Sequence, residues 1–334
     1  MGGFTMKHIH IIELGGTISA QGENRLDLKD YSSGVFQGED FLRDIPELKS
    51  IASLSFTNFS KISSTKIRTN DWIELRQLIL KKLTTNDIDG FVISHGTSTL
   101  EETAYFLHLT LATEKPIVFV GAQRPFTALS SDAALNLVQA VRVAASEDAV
   151  GKGVFVVLND EISCAREVTK QSTYRLDTFQ SNKHGFLGVV DTDGTVQFYR
   201  QATRKHTVDS EFSQDELTSL PNVEIIYSYA GANGMLIDAI TNSGYFSGII
   251  TAGTGAGLVS PEELDSLQKA REAGLFIVRS SRVGSGRVVP IKPYEDYDFI
   301  SGDDLLPQKA RILLMLSLLK YNRTEDIQHI FNTH

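Results

Sequence analysis

Cysteine, long apolar runs and positive charge are all scarce in this chain of 334 residues. Cys164 is the only cysteine, so an intrachain disulfide is impossible and the framework of a small secreted domain is excluded. No apolar run approaches the about 18 residues of a membrane-spanning helix. The net charge of −9 argues against nucleic acid and anionic membranes as partners.

The first residues lack the long apolar stretch of a signal peptide. Together with the lone cysteine, this favours a cytoplasmic location, and a periplasmic mature form that has lost its signal is the alternative. Met1 and Met6 are both candidates for the native start.

What the chain does have is the composition of an ordinary globular protein, with 41% hydrophobic and 22% charged residues. Its length exceeds the usual size of a single core, which predicts two domains. Apolar runs alternate with stretches of helical spacing over residues 7–160 and again over 223–319. This βαβα order predicts an α/β fold in which each domain is a mainly parallel sheet flanked by helices, in Rossmann-like layers. We place the larger N-terminal catalytic domain at residues 1–200, a linker at 201–221 and the C-terminal domain at 222–334.

Two of the predicted strands are followed by small turns that carry a threonine. Gly15-Gly16-Thr17 comes after the strand at 8–13, and His95-Gly96-Thr97 comes after the strand at 91–94. In parallel sheets ligands bind beyond the carboxyl ends of the strands, so these turns should share one edge. Thr17 is a candidate nucleophile, with backbone N–H groups nearby to stabilise an oxyanion. Without a catalytic role, Thr17 would belong to a tight turn and Thr97 or Ser98 would be a helix N-cap. We assign no role to His95.

A threonine hydroxyl needs a base, and Lys170 is the next candidate. It follows a predicted strand in a stretch that mixes polar and apolar residues. Desolvation there would lower the pKa of the lysine enough for it to accept a proton. The alternative is a surface lysine that pairs with Glu167.

Several collinear motifs resemble the bacterial-type L-asparaginase/glutaminase family over nearly the whole chain. They lie at residues 14–19, 95–104, 121–125, 159–162, 165–170, 177–179, 280–283 and 307–311. The resemblance implies two α/β domains, no cofactor or metal, and a homotetramer of two intimate dimers with active sites between subunits. It also implies that a side-chain (ω-)amide of a small molecule is hydrolysed to a carboxylate and ammonia through a threonine acyl-enzyme.

By the same resemblance, four residues are catalytic. Thr17 is the nucleophile and Tyr31 is the tyrosine of a mobile loop beside it. Thr97 and Lys170 form the pair that activates the nucleophile or the water. The substrate-binding positions are Gly16, Ser64, Thr65, Gly96 and Ser98. Ser64 matches the serine that holds the substrate α-carboxylate.

The chain departs from the family pattern where that pattern binds the substrate α-ammonium. The family has an aspartate at the position of Ser98, and Gln or Glu followed by Asp at the positions of Thr65 and Lys66. A glutamate that the partner subunit donates in the family falls on Pro293 here, with Glu295 two residues further. The replacements leave the predicted hydrolytic groups in place but remove carboxylates, and breaking a buried ion pair costs about 3–5 kcal/mol.

Two interpretations of the substrate follow. One is an ω-amide without an α-amino group, such as a dicarboxylic monoamide, with weak activity on L-Asn and L-Gln. The other is an ordinary asparaginase in which Glu295 and bound water hold the ammonium. A hypothesis of another class is a ligand sensor without catalysis. The presence of Thr17, Tyr31, Thr97 and Lys170 argues against it, because a sensor has no need to keep both threonines and the lysine.

Overall fold

A computed structural model describes residues 6–85, 87–181 and 184–334. The chain divides into two compact units, one ending at Asp215 and the other spanning Glu216–His334. Among the described residues, no helix is long and apolar enough to cross a membrane. The predicted linker at 201–221 contains a short 3-10 turn at Thr207–Asp209 and the buried Phe212, and as a domain boundary it stays a prediction.

The first unit contains twelve described strands and five described α-helices. The strands are β1 (His8–Glu13), β2 (Gln21–Gly22), β3 (Tyr31–Ser32), β4 (Ser53–Asn58), β5 (Gly90–Ser94), β6 (Ile117–Val120), β7 (Val154–Leu158), β8 (Glu161–Cys164), β9 (Thr169–Lys170), β10 (Phe179–Gln180), β11 (Gly188–Val190) and β12 (Val196–Phe198). The helices are α1 (Gly38–Asp44), α2 (Leu48–Ile51), α3 (Thr69–Leu83), α4 (Leu100–Thr110) and α5 (Ala133–Ala145).

The main sheet of this unit has eight strands in the order β12-β11-β8-β7-β6-β5-β1-β4. Five neighbouring strands of this sheet run parallel, namely β4, β1, β5, β6 and β7. Strands β8, β11 and β12 add an antiparallel edge. The edge begins where Asn159 and Asp160 take φ values of 53° and 63°, which turn the chain straight back on itself. The predicted mainly parallel sheet is thus confirmed.

Every residue of β5, β6 and β7 is buried, as expected for central strands covered on both faces. Helix α5 contributes Leu137 and Val141 to a core that also contains Val92 and Val120 from the sheet. Because the parallel strands pack side by side, the turns that follow β1, β5 and β6 all emerge at one edge. The candidate active site described below lies at this edge.

The second unit is a smaller sheet of four parallel strands in the order β13-β14-β15-β16. Its strands are β13 (Val223–Tyr227), β14 (Gly248–Gly253), β15 (Phe276–Ser281) and β16 (Ile300–Ser301). Its helices are α6 (Met235–Ser243), α7 (Pro261–Glu272), α8 (Pro307–Ser317) and α9 (Thr324–Thr333). Ile237, Ile249, Leu267 and Ile277 form the centre of its core. The predicted α/β architecture of a parallel sheet with helices is confirmed here as well.

Candidate active site

A cavity of about 630 Å³ opens at the edge of the first unit's sheet where β1, β5 and β6 end. Its sixteen lining residues include eight of the nine site residues expected from the sequence. The exception is Thr65, which is exposed, does not line the cavity and has its Oγ1 2.9 Å from Oγ of Ser63. The structure therefore brings together Gly16, Thr17, Tyr31, Ser64, Gly96, Thr97, Ser98 and Lys170.

Backbone contact between two turns shapes the floor of this cavity. Gly16 has a φ of 89°, and a Cβ built on it would lie only 2.4 Å from Cα of Gly96. A Cβ on Gly96 would in turn lie 2.7 Å from Oγ of Ser64. Only glycine fits at these two positions, and the close approach delivers Thr17 and Thr97 to the same cavity.

The hydroxyl of Thr17 has an immediate polar neighbour. Its Oγ1 lies 2.9 Å from Oη of Tyr31. Thr17 opens the 3-10 turn Thr17–Ser19, and Tyr31 lies on β3, which pairs with β2 as a small antiparallel ribbon. A hydroxyl held against a second hydroxyl can pass on its proton as it attacks a carbonyl carbon.

Lys170 is directed at the second threonine. Its Nζ donates a hydrogen bond to Oγ1 of Thr97 at 2.8 Å. Burial lowers the pKa of Lys170, so the neutral amine is reached at a lower pH than for an exposed lysine. Glu167, the partner in the alternative interpretation, pairs with Arg200 at 2.5 Å instead.

Glu101 also lines the cavity, which the sequence did not indicate. It lies in the first turn of α4, where an acidic side chain complements the helix dipole. Its side chain is buried, and Oε1 accepts a hydrogen bond from the backbone N–H of Lys170 at 3.5 Å. Glu101 therefore helps to hold β9, and with it Lys170, against the helix.

A buried chain of hydrogen bonds fixes the peptide between Gly96 and Thr97. The indole Nε1 of Trp72 donates to Oγ1 of Thr103 at 3.0 Å, and this hydroxyl has Nε2 of His95 as its nearest acceptor at 2.9 Å. Because indole can only donate, Nδ1–H of His95 is left to donate to the Gly96 carbonyl at 2.8 Å. Burial lowers the pKa of His95 to about 4, which keeps the ring neutral. The trans peptide then points the N–H of Thr97 away from His95.

Gln123 is a further cavity residue that received no role from the sequence. It follows β6 within the motif at 121–125, and its side chain is 7% exposed. Its amide nitrogen is buried and has no hydrogen-bond partner among the described residues. Within the same described ranges, no group of three or more His, Cys, Asp or Glu side chains is placed to hold a metal ion.

Two family profiles match this chain along most of its length. The one described as asparaginase, N-terminal matches residues 8–204, and the one described as glutaminase/asparaginase C-terminal domain matches residues 222–331. The chain belongs to the asparaginase family of amidohydrolases. The resemblance inferred from the motifs is thereby confirmed, together with the fold.

Individual relatives of this asparaginase-family chain agree with the profiles. It is 42% identical to L-asparaginase 2 of Bacillus subtilis, over 98% of this chain and 87% of that protein. It is 40% identical to the glutaminase-asparaginase of Pseudomonas fluorescens biotype A, over 98% of this chain and 90% of that protein. The crystal structure of a probable cytoplasmic L-asparaginase from Campylobacter jejuni matches with a TM-score of 0.94 at 38% identity, covering 98% of this chain and all of that one. These names favour an enzyme over the ligand sensor.

Proposed function

We propose that the protein hydrolyses a side-chain amide to a carboxylate and ammonia, with Thr17 as the nucleophile. The observation that carries this proposal is that the Thr17–Tyr31 pair and the Thr97–Lys170 pair line one cavity. In the first half, Oγ1 of Thr17 bonds to the amide carbon, the C–N bond breaks, and the nitrogen takes up a proton and leaves as ammonia. In the second half, water adds to the ester carbon, the bond to Thr17 breaks, and the carboxylate is released.

Proton transfer falls to the two neighbours of the threonines. Tyr31 is the polar group in contact with the hydroxyl of Thr17, so it is placed to relay the proton of the attacking oxygen: it takes up that proton as it gives its own to the leaving nitrogen. Lys170 serves as the base behind Thr97, because its lowered pKa favours the neutral amine. The same pair serves the nucleophile in the first half or the water in the second.

The negative charge that develops on the carbonyl oxygen needs hydrogen-bond donors already in place. The N–H of Thr97 is one candidate, since the Gly96 carbonyl on the same peptide is held by His95 on the buried side. Gly16 and Gly96 allow the substrate to approach the backbone closely. Ser64, Thr65 and Ser98 stay predictions as substrate-binding residues.

Ammonia release from a panel of amides tests the proposal. Thr17→Val keeps the shape of the side chain and removes the hydroxyl, so we expect turnover to fall at least about a thousandfold while the protein stays folded. Thr218→Val, at an exposed threonine outside the cavity, is the matched control. Turnover that survives in Thr17→Val would show that another group attacks, and binding of amides without any ammonia release by the wild type would point to the sensor.

We further infer the assembly, the domains and the location from the family. A homotetramer of two intimate dimers, domains at 1–200 and 222–334, and a cytoplasmic location are the expected properties. The Campylobacter jejuni structure is that of a probable cytoplasmic L-asparaginase, whereas a Haemophilus influenzae relative at 40% identity is a probable periplasmic L-asparaginase. Light scattering, limited proteolysis around residues 201–221 and fractionation of the source cells test the three inferences in turn.

A further inference from the structure

A chain of hydrogen bonds between side chains links the last two strands of the first unit's main sheet. His8 and His10 lie on β1, and Ser55 and Thr57 lie beside them on β4. The hydroxyl of Ser55 lies between the two rings, with its Oγ 2.7 Å from Nε2 of His8 and 2.7 Å from Nδ1 of His10. Nε2 of His10 lies 2.9 Å from Oγ1 of Thr57. These four residues do not line the cavity that contains Thr17.

The outer end of this chain determines which atom donates at each step. Nδ1 of His8 lies 2.8 Å from the backbone carbonyl of Asp87, and a carbonyl can only accept. Neutral His8 therefore carries its hydrogen on Nδ1 and offers Nε2 as an acceptor to the hydroxyl of Ser55. Because Ser55 has only one hydrogen, its bond with His10 must be donated by Nδ1–H of His10.

The ring of His10 stays neutral, which preserves this order of donors and acceptors. Burial lowers the pKa of His10 to about 4. Among the charged groups around the ring, Lys82 on α3 and His8 lower that pKa further, and Asp87 raises it. The bare Nε2 of His10 then accepts the hydroxyl hydrogen of Thr57.

Ser55 thus has the surroundings of a serine that is activated as a nucleophile. Its O–H donates to a neutral imidazole nitrogen of His8, and the other nitrogen of that ring is held by the Asp87 carbonyl. A base within hydrogen-bond reach, oriented by a third group, is typical of such nucleophiles. The carboxylate Oδ2 of Asp87 lies 3.9 Å from Nδ1 of His8, so it favours the imidazolium that forms when the ring takes up the proton.

One end of the hydrogen-bond chain is buried and the other is open to solvent in the described chain. His10 is 2% exposed and meets the ring of Phe91 edge-on, with 6.0 Å between the ring centroids. At the other end, Ser55 is partly exposed on the last strand of the sheet, and the side chain of His8 is 26% exposed. A small electrophile can therefore approach the hydroxyl of Ser55 from the side of His8.

We propose that Ser55 is a second nucleophile of this protein, which takes up an acyl group from a small activated acyl donor, such as an aryl ester or a thioester. In this step Oγ of Ser55 bonds to the acyl carbon, and its proton passes to Nε2 of His8. The bond from the acyl carbon to the leaving oxygen or sulfur then breaks, and His8 gives the proton to that atom. This reaction is separate from amide hydrolysis at Thr17, because it uses residues outside the cavity.

p-Nitrophenyl acetate is the probe, since its acyl group is small and its leaving group is coloured. The wild-type protein is quenched with acid at intervals and digested, and mass spectrometry follows the acetyl group on each serine. Ser53, an exposed serine on the same strand, is the internal reference. General base catalysis contributes about 10²–10⁴-fold, so we expect Ser55 to be acetylated at least about a hundredfold faster than Ser53.

Variants test whether His8 activates the serine. His8→Gln keeps a polar side chain and removes the base, so it should slow acetylation of Ser55 by at least about tenfold. Lowering the pH should slow acetylation in the wild type, where His8 gains a proton, but not in His8→Gln. Ser55→Ala should abolish the acetyl group on this peptide and the p-nitrophenol release that accompanies it, whereas ammonia release from amides should stay unchanged.

Equal acetylation of Ser55 and Ser53, together with p-nitrophenol release that is unchanged in Ser55→Ala, overturns the proposal. Acetylation of Ser55 at the same rate in the wild type and in His8→Gln overturns activation by His8. Thr17→Val should acetylate at Ser55 as the wild type does. Loss of ammonia release in that variant therefore tests the cavity, and acetylation of Ser55 tests this second nucleophile.

Discussion

Gly16→Ala perturbs the backbone contact that forms the floor of the cavity. Gly16 has a φ of 89° and a ψ of −173°, a conformation that is almost restricted to glycine. A Cβ there would lie 2.4 Å from Cα and 2.5 Å from N of Gly96. Both are backbone atoms, so no rotation of a side chain relieves the clash.

The expected loss can be built from two parts. Placing alanine in this backbone conformation costs about 1–3 kcal/mol, and forcing the two turns apart costs about 1–3 kcal/mol more. We therefore expect Gly16→Ala to lower the free energy of unfolding by about 2–6 kcal/mol. Thr17 follows directly, and a displacement of about 1 Å at a nucleophile lowers the rate about a hundredfold.

Gly151→Ala is the matched control. Gly151 has a φ of 74°, but a Cβ there would meet nothing within 4 Å. It should show only the cost of the positive φ, about 1–2 kcal/mol, with unchanged kcat/KM. Urea unfolding followed by the fluorescence of Trp72, the only tryptophan, gives the stability, and ammonia release gives the rate. Equal stability losses in the two variants, with activity kept in Gly16→Ala, would refute the contact between the turns.

Three further predictions concern titration and buried hydrogen bonds. Lys170→Met should lower kcat/KM by about 10²–10⁴-fold and remove the rise of the rate with pH that the lowered pKa of Lys170 produces. Burial raises the pKa of Glu13 from 4.5 to about 7. The folded protein therefore favours the protonated carboxyl, and its contribution to the free energy of unfolding is fully present below pH 4.5 and lost as the pH rises through 7. Glu13→Gln should remove this pH dependence, worth about 2–3 kcal/mol in urea unfolding. Thr103→Val leaves the indole N–H of Trp72 and Nε2 of His95 without the hydroxyl they share, and it should lower the free energy of unfolding by about 1–3 kcal/mol, whereas Thr103→Ser should not.

Each of these has an outcome that contradicts it. A pH–rate profile that is the same in wild type and Lys170→Met would exclude Lys170 as the base. A Glu13→Gln variant that keeps the wild-type slope of stability between pH 4.5 and 7 would assign that slope to another group. Equal unfolding free energies for Thr103→Val and Thr103→Ser would show that the hydroxyl of Thr103 is not needed.

The central elements of the fold could be predicted because their signals are local. The strand expected at 8–13 is β1, and the strand expected at 91–94 is β5, which begins one residue earlier. The sequence did not indicate α1, which has only seven residues, or β4, whose mostly half-buried residues give no clear alternation. The antiparallel edge was also missed, because it depends on the left-handed turn at Asn159 and Asp160.

The site divides in the same way. Motifs identified Thr17, Thr97 and Lys170 as candidates, but the contact between Thr97 and Lys170 spans 73 positions and only the fold reveals it. His95 received no role, because its partners Thr103 and Trp72 are brought to it by α4 and α3. Thr65, which was expected to bind substrate, is exposed in the 3-10 turn Ser64–Lys66 and does not line the cavity, and its role stays a prediction.

The central claim is that Thr17 carries the acyl group, and trapping that intermediate tests it most directly. The protein is quenched with acid during turnover of an amide, digested, and the peptide that contains Thr17 is examined by mass spectrometry. We expect this peptide to gain the mass of the acyl group on Thr17 and to show no gain in Thr17→Val. An acyl group on a different residue, or turnover by Thr17→Val with an adduct elsewhere, would contradict the account.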